Sequence, residues 1–266
     1  VTAVSARAQR SPFQIYTHAL WLIASRDLKK RYSTSALGYV WSILDPLLMA
    51  GIYWFVFTQV FHRGGGVGES PYIVFLLSAL LPWTWFNGSV ADSTRIFQFE
   101  AKLIRSTKIP RTIWVASLVV SKGIEFLASI PVLAIFVIAT HAPVYWQALG
   151  WIPAILIQTI LTIGIGLIVA PLVVFLSDLH RAVKLILRLA FYASPIIYGT
   201  TDLPPVAHTL AAFNPLTGIF SLYRGAFFPG QIDGAAIAVS FLMSAIILAI
   251  GVLVFRRSER TVLKEM

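Results

Sequence analysis

Three ionisable side chains stand inside long apolar runs: Asp45, Lys122 and Glu125. A charge in hydrocarbon is costly, so each needs a partner or a task. Lys122 and Glu125 are spaced i, i+3 on one helix face and can neutralise each other. The same two residues would also serve an intramembrane proton or ion relay, and both readings are open. Asp45 precedes Pro46 in "YVWSILDPLLMAGIYWFVF", residues 39–57. Asp as N-cap with Pro at the first helical position makes a good helix start. The run therefore reads as a short helix from Gly38 and a second helix from Pro46. An ion or substrate role for Asp45, or plain packing, are the alternatives.

Other chemistries find little support. No G-x-x-x-x-G-K-[ST] occurs, and "GGGVGES" lacks the lysine that would reach a phosphate. The chain has no cysteine, hence no thiol nucleophile, disulfide or thiolate zinc site. Its five histidines are scattered without metal-ligand spacing. Asp92 and Glu100 are the acids nearest to an interface, and they form no recognisable catalytic signature. No catalytic or metal-binding set is expected.

The elements that carry these residues follow from composition. Of 266 residues, 58% are hydrophobic and 12% charged, about half the charge of a soluble domain. Apolar segments at 40–61, 71–91, 112–139, 151–176, 182–198 and 235–255 are each near the ~20 residues that a spanning helix needs. The alternation of a β-barrel is absent. The chain thus reads as an all-α integral membrane protein with six transmembrane helices. The first run of spanning length begins near residue 37 without a cleavage pattern, so no signal peptide is expected.

The net charge of +10 could suggest nucleic acid, but its distribution argues otherwise. Segments 1–39, 92–111, 177–188 and the tail from Arg256 hold 18 Lys/Arg, whereas 62–70, 140–150 and 199–234 hold 2. The positive-inside rule then places both termini in the cytoplasm. Ahead of the first span, Phe13, Tyr16, Leu20 and Ile23 recur at helical spacing, followed by Arg26, Lys29, Lys30 and Arg31. This is an N-terminal amphipathic interface helix, a lipid anchor or a docking surface for a cytoplasmic partner. Between spans five and six, apolar pieces of about 9 and 14 residues flank Asn214-Pro215. Neither can span, so they read as re-entrant outer helices, residues 203–229, or as an external cap. Pro82 interrupts span two.

Five stretches in this order, "RYSTSALGYVWSILDPLLM", "LLSALLPWTWFNGSV", "AKLIRSTKIPR", "FYASPIIYGTTDLP" and "FNPLTGIFSLYRGAFF", resemble one family. It is the transmembrane permease subunit of ABC exporters for polysaccharides and polyol phosphates: the O-antigen, teichoic-acid and wall-galactan permeases. The resemblance covers about residues 13–258. It implies a homodimer in the bacterial inner membrane, with two copies of a separate nucleotide-binding ATPase subunit that binds ATP and Mg; this chain would bind no cofactor. The implied substrate is a lipid-linked glycan moved outward. The chain divides accordingly into a cytoplasmic N-terminal region 1–36, a permease domain 37–258 and a tail 259–266.

The resemblance also implies site residues. Leu37 and Gly38 match a Leu-Gly loop before a gating helix, which with Asp45 and Pro46 would form the gate and helix break. The loop 97–111 matches the coupling helix, with Glu100, Lys102, Leu103, Ile104, Arg105 and Lys108 as contacts to the ATPase. Ser177-Asp178 departs from the family's frequent Arg-Asp, so no role rests on that arginine. Sugars are held by aromatic faces with polar partners, which makes Tyr39, Trp41, Trp83, Trp85 and Tyr223 candidates for the glycan path. Each could equally be an interface-belt or packing aromatic. Two other classes stay open: a proton-coupled secondary transporter using Asp45, Lys122 and Glu125, and a membrane-embedded glycosyltransferase.

Overall fold

The computed structural model describes residues 12–33, 40–56, 71–107, 109–176 and 178–265. Leu37, Gly38, Tyr39 and Lys108 lie outside them, and for Trp41, Asp45, Pro46, Lys102 and Arg105 only the backbone path is described. The described residues form helices and turns, with no strand among them. In chain order the helices are α1 (Pro12–Ser33), α2 (Val40–Trp54), α3 (Tyr72–Ser93), α4 (Ile96–Phe99), α5 (Ala101–Ser106), α6 (Thr112–Ala139), α7 (Trp151–Phe175), α8 (Leu179–Ala193), α9 (Pro205–Ala212), α10 (Pro215–Gly225) and α11 (Gly234–Glu265).

Four helical stretches among the described residues are long and apolar enough to cross a membrane: Tyr72–Ser93, Thr112–Ala139, Trp146–Phe175 and Gly234–Glu259. α2 and α8 have 15 residues each, about 22 Å at 1.5 Å per residue, short of ~30 Å of hydrocarbon. α8 stops because Ser194 precedes Pro195 and takes an extended conformation, φ −98°, ψ 147°.

α3 is the axis of the bundle. Its span is 83% buried, against 22% for α6 and 17% for α11, so α3 has protein around it while those two turn a broad face outward. α3 packs against α2, α6, α7, α8 and α10. Pro82 does not break it: the helix runs from Tyr72 to Ser93 with Pro82 buried inside it. Gln158 on α7 adds a side-chain bond there, its Nε2 donating to the carbonyl of Pro82 at 2.8 Å.

The reading of Asp45-Pro46 as a break is corrected likewise. α2 runs without interruption from Val40 to Trp54, so Asp45 is no N-cap and Pro46 no helix start. A proline inside a helix deletes one N–H donor, a loss that membrane helices absorb by local adjustment. Glycine allows a close helix contact between α7 and α11. A Cβ on Gly251 would run into the carbonyl oxygen of Gly164, and one on Gly164 would lie 2.7 Å from the backbone nitrogen of Leu248. Only Gly allows such an approach of two backbones.

The segment after α8 forms two short helices. α9 is largely exposed, with Val206, Leu210 and Phe213 all more than three-fifths accessible. α10 is buried over most of its length and packs on α3, α7 and α11. Asn214 starts α10: its Oδ1 accepts from the Leu216 N–H at 3.0 Å, and its Nδ2 donates to Ser194 Oγ at 2.8 Å. Pro215 takes the first helical position.

Candidate functional site

Two regions collect the polar chemistry: a groove along the bundle and a junction where α1 meets the α4–α5 segment. The groove, about 530 Å³, lies between α2, α3 and α8. α8 is strongly two-sided. Val183, Leu187 and Phe191 form a buried stripe at i, i+4, i+8, and α8 packs on α3. One residue further on, Lys184, Arg188 and Tyr192 repeat the same spacing, and all three line the groove. Thr84 and Asn87 from α3 and Tyr53 from α2 supply hydroxyls and an amide. The ring of Tyr53 stacks on Phe191 at 5.8 Å, and Phe191 meets Tyr192 edge-on at 5.1 Å. Aromatic faces, hydrogen-bonding groups and two cations thus share one trough.

Of the aromatic residues expected to line a path whose side chains are described, Trp83 reaches this groove, wedged 5.6 Å from both Phe86 and Phe191. Trp85 and Tyr223 are packing residues. Trp85 donates its indole N–H to Val119 O at 2.9 Å and stacks on Phe126 at 5.3 Å. Tyr223 is fully buried, edge-on to Phe126 and Trp151. Both had to be assigned to the path or the core from residue type alone, and burial decides for the core. The α8 stripe was legible as a four-residue repeat, but its charges were counted only as marks of topology.

Lys122 and Glu125 come together, with Nζ 3.4 Å from Oε2. Asp92 on α3 joins them at 3.5 Å from the same Nζ. A lysine between two carboxylates on two helices satisfies its own charge and links α3 to α6. Asp92 is therefore an ion-pair partner here.

At the junction, Glu100 is held by α1, its carboxylate 2.7 Å from Arg26 Nη2 and 3.5 Å from Lys30 Nζ. The guanidinium of Arg26 lies over the Trp114 ring at 5.6 Å. Asp27 accepts from Ser121 Oγ at 2.8 Å, so α1 is tied to α6 as well. Ile104 is 1% exposed and sits with Ile23, Phe97, Ile113 and Trp114 in a second apolar cluster. It faces inward and is no knob for a partner, because one turn of α5 has to seal that cluster. Leu103 packs on the cluster's rim, and Phe99 is the exposed apolar residue of the segment, 71% accessible. Glu100 likewise spends its charge within the chain.

Past this junction, α3 and α8 meet through His180. Its Nδ1 lies 2.9 Å from Thr94 Oγ1 and its Nε2 2.6 Å from Arg95 Nη2. The Thr94 hydroxyl donates to Ala91 O at 2.6 Å, so it accepts from Nδ1–H while Nε2 accepts from Arg95. That tautomer is neutral. Desolvation, then Arg95, Lys184 and Arg181, hold the imidazole below its ordinary range.

Comparison with known proteins agrees with this architecture. Residues 18–228 match the family described as ABC-2 type transporter. The chain is 35% identical over 242 residues to the O-antigen export system permease protein RfbA of Klebsiella pneumoniae, covering 90% of this chain and 91% of that protein. It is 28% identical over 222 residues to the protein of that name in Myxococcus xanthus, covering 83% and 84%. It is 23% identical over 266 residues to the polysialic acid transport protein KpsM of Escherichia coli, covering 96% and 98%. With the family matched over most of its length, this multi-pass membrane chain belongs to the ABC-2 type transporters.

Proposed function

We propose that the chain is the permease subunit of an ATP-driven exporter that moves a lipid-linked polysaccharide outward across the bacterial inner membrane. The single observation that carries this reading is the α2–α3–α8 groove. Aromatic faces such as Tyr53 and Tyr192 suit sugar rings, and Asn87 and Thr84 suit their hydroxyls. Lys184 and Arg188 suit an anionic linkage, and two cations on a membrane helix need a wet wall rather than lipid. The names of the relatives, O-antigen export and polysialic acid transport, support the polymer class.

In this reading two copies of the chain close the path between their grooves, and two ATPase subunits drive it through α1, α4 and α5. Six crossings are reached if α2 and α8, extended by their flanking residues, count as spans. α9 and α10 then lie at the outer face as re-entrant helices, and both termini are cytoplasmic. The gate at Leu37 and Gly38 belongs to the same proposal.

The experiment is complementation of a strain lacking the gene, scored by surface polysaccharide and by lipid-linked polymer retained inside. Lys184→Glu with Arg188→Glu is expected to keep the protein in the membrane but leave polymer inside. Full surface display by that variant would overturn the path assignment.

A further inference from the structure

A second groove, about 480 Å³, opens between α1 and the segment that joins α3 to α6. Its apolar lining comes from Leu22, Leu103, Ile109 and Trp114, and its charge from Arg26 and Lys29. Two buried donors here have no acceptor among the described residues: Trp114 Nε1 and Arg26 Nε. Trp114 is 1% exposed, so its missing partner is not replaced by bulk water. Arg26 uses Nη2 on Glu100, and its side chain stays 38% exposed beside the groove. Asp27, the acid of α1, accepts from Ser121.

The face of α1 beside the groove carries Trp21 and Leu22, 59% and 63% exposed. A bare tryptophan and leucine next to cations belong at the boundary of a membrane, where the rings and stems are buried and the charges meet headgroups. We propose that this groove binds one anionic phospholipid per chain. Its phosphate lies against Lys29 and the exposed part of the Arg26 guanidinium. One acyl chain follows Leu22, Leu103 and Ile109. Bound there, the lipid spans α1 and the coupling segment and fastens them together. The inference goes beyond the transport reading and does not depend on which polymer is exported.

The test uses the permease copurified with its partner ATPase, held in nanodiscs of phosphatidylcholine with a minor share of phosphatidylglycerol. After transfer to detergent and washing, the lipids retained per complex are counted by mass spectrometry. The wild type is expected to retain phosphatidylglycerol in preference to phosphatidylcholine. Lys29→Glu, on an exposed side chain, should reduce that preference about fivefold or more, the size of one basic residue's attraction to anionic lipid. Lys29→Arg should keep it. Equal preference in wild type and Lys29→Glu overturns the proposal. So does a lipid retained by the permease alone but lost with the ATPase bound, since the groove is then the partner protein's seat. No polysaccharide is present, so failure here leaves the export reading standing, and loss of export in the groove variants leaves this one standing.

Discussion

Arg26 of the N-terminal helix lies 2.7 Å from Glu100, at the joint between α4 and α5. This contact makes α1 and the α4–α5 segment one mechanical piece rather than two independent surfaces. Lys30 reaches the same carboxylate at 3.5 Å, and Glu100 is only 12% exposed while Arg26 is 38% exposed. A force applied to either element therefore reaches α6 through Trp114 and Ser121.

Glu100→Gln keeps the shape but removes the charge. In a partly exposed pair such as this the expected loss of stability is about 1 kcal/mol, discounted for solvent screening at Arg26. The functional cost should be larger, because the joint loosens. Purified complex carrying Glu100→Gln should melt near the wild-type temperature yet lose stimulation of the partner's ATP hydrolysis. Charge exchange, Arg26→Glu with Glu100→Arg, should restore part of it. A double exchange no better than either single change would mean that the pair transmits nothing.

Inside the same segment, neighbouring residues are expected to fail in different ways. Ile104 is buried in the second cluster, so Ile104→Asp puts a carboxylate among Ile23, Phe97 and Trp114. That should cost roughly 3 kcal/mol or more and yield little folded protein. Phe99 is exposed, so Phe99→Asp should fold and insert normally while copurification of the ATPase falls. Detergent-resistant yield and pull-down, measured together, separate the two. A stable Ile104→Asp protein that merely loses its partner would contradict the inward orientation.

The contrast between residues 99 and 104 shows what the sequence made legible here. Helical type and the apolar runs followed from composition and period. The phase of a four- to six-residue helix did not, because one turn of "FEAKLIRS" has too few apolar positions to define a face. Asp45-Pro46 failed differently: α2 runs without a break through a good local start signal. Trp85 and Tyr223 carry no mark that separates core from path, since an aromatic face suits both. The α8 stripe was the missed signal, with Lys184, Arg188 and Tyr192 four residues apart.

His180 should make the α3–α8 contact sensitive to acid. Its imidazole is held below the usual range by desolvation and by Arg95, Lys184 and Arg181, so the folded state favours the neutral ring. The stabilisation is then fully present above the ordinary imidazole range, near pH 6.5, and is lost as pH falls below it. Protonation puts a cation against Arg95 Nη2, now 2.6 Å from Nε2. Hydrogen-exchange protection factors around residues 178–184 should drop between pH 7 and pH 5 in the wild type and stay level in His180→Asn. Identical profiles for the two proteins would remove His180 as the cause.

Arg224 is expected to be the least replaceable residue of the segment between α8 and α11. It is 2% exposed, and its guanidinium carbon lies over the Phe75 ring at 3.6 Å from the centroid. Nη2 donates to Ile196 O at 2.6 Å and Nη1 to Tyr198 O at 3.0 Å. These carbonyls belong to the stretch after Ser194 where α8 has ended, so no helix ladder serves them. The fork of the guanidinium reaches both while lying over an α3 aromatic, which a single ammonium cannot do. Arg224→Lys should therefore lose roughly 1–3 kcal/mol, and Arg224→Leu more, because it leaves both buried carbonyls without a donor. The measurement is the melting temperature of the detergent-solubilised protein, with protease sensitivity of residues 194–204 as the local readout. Cleavage should appear there first in Arg224→Lys while α3 and α6 stay intact. Wild-type melting for Arg224→Leu would show that the segment is held by α9 and α10 packing alone, with the arginine dispensable to the fold.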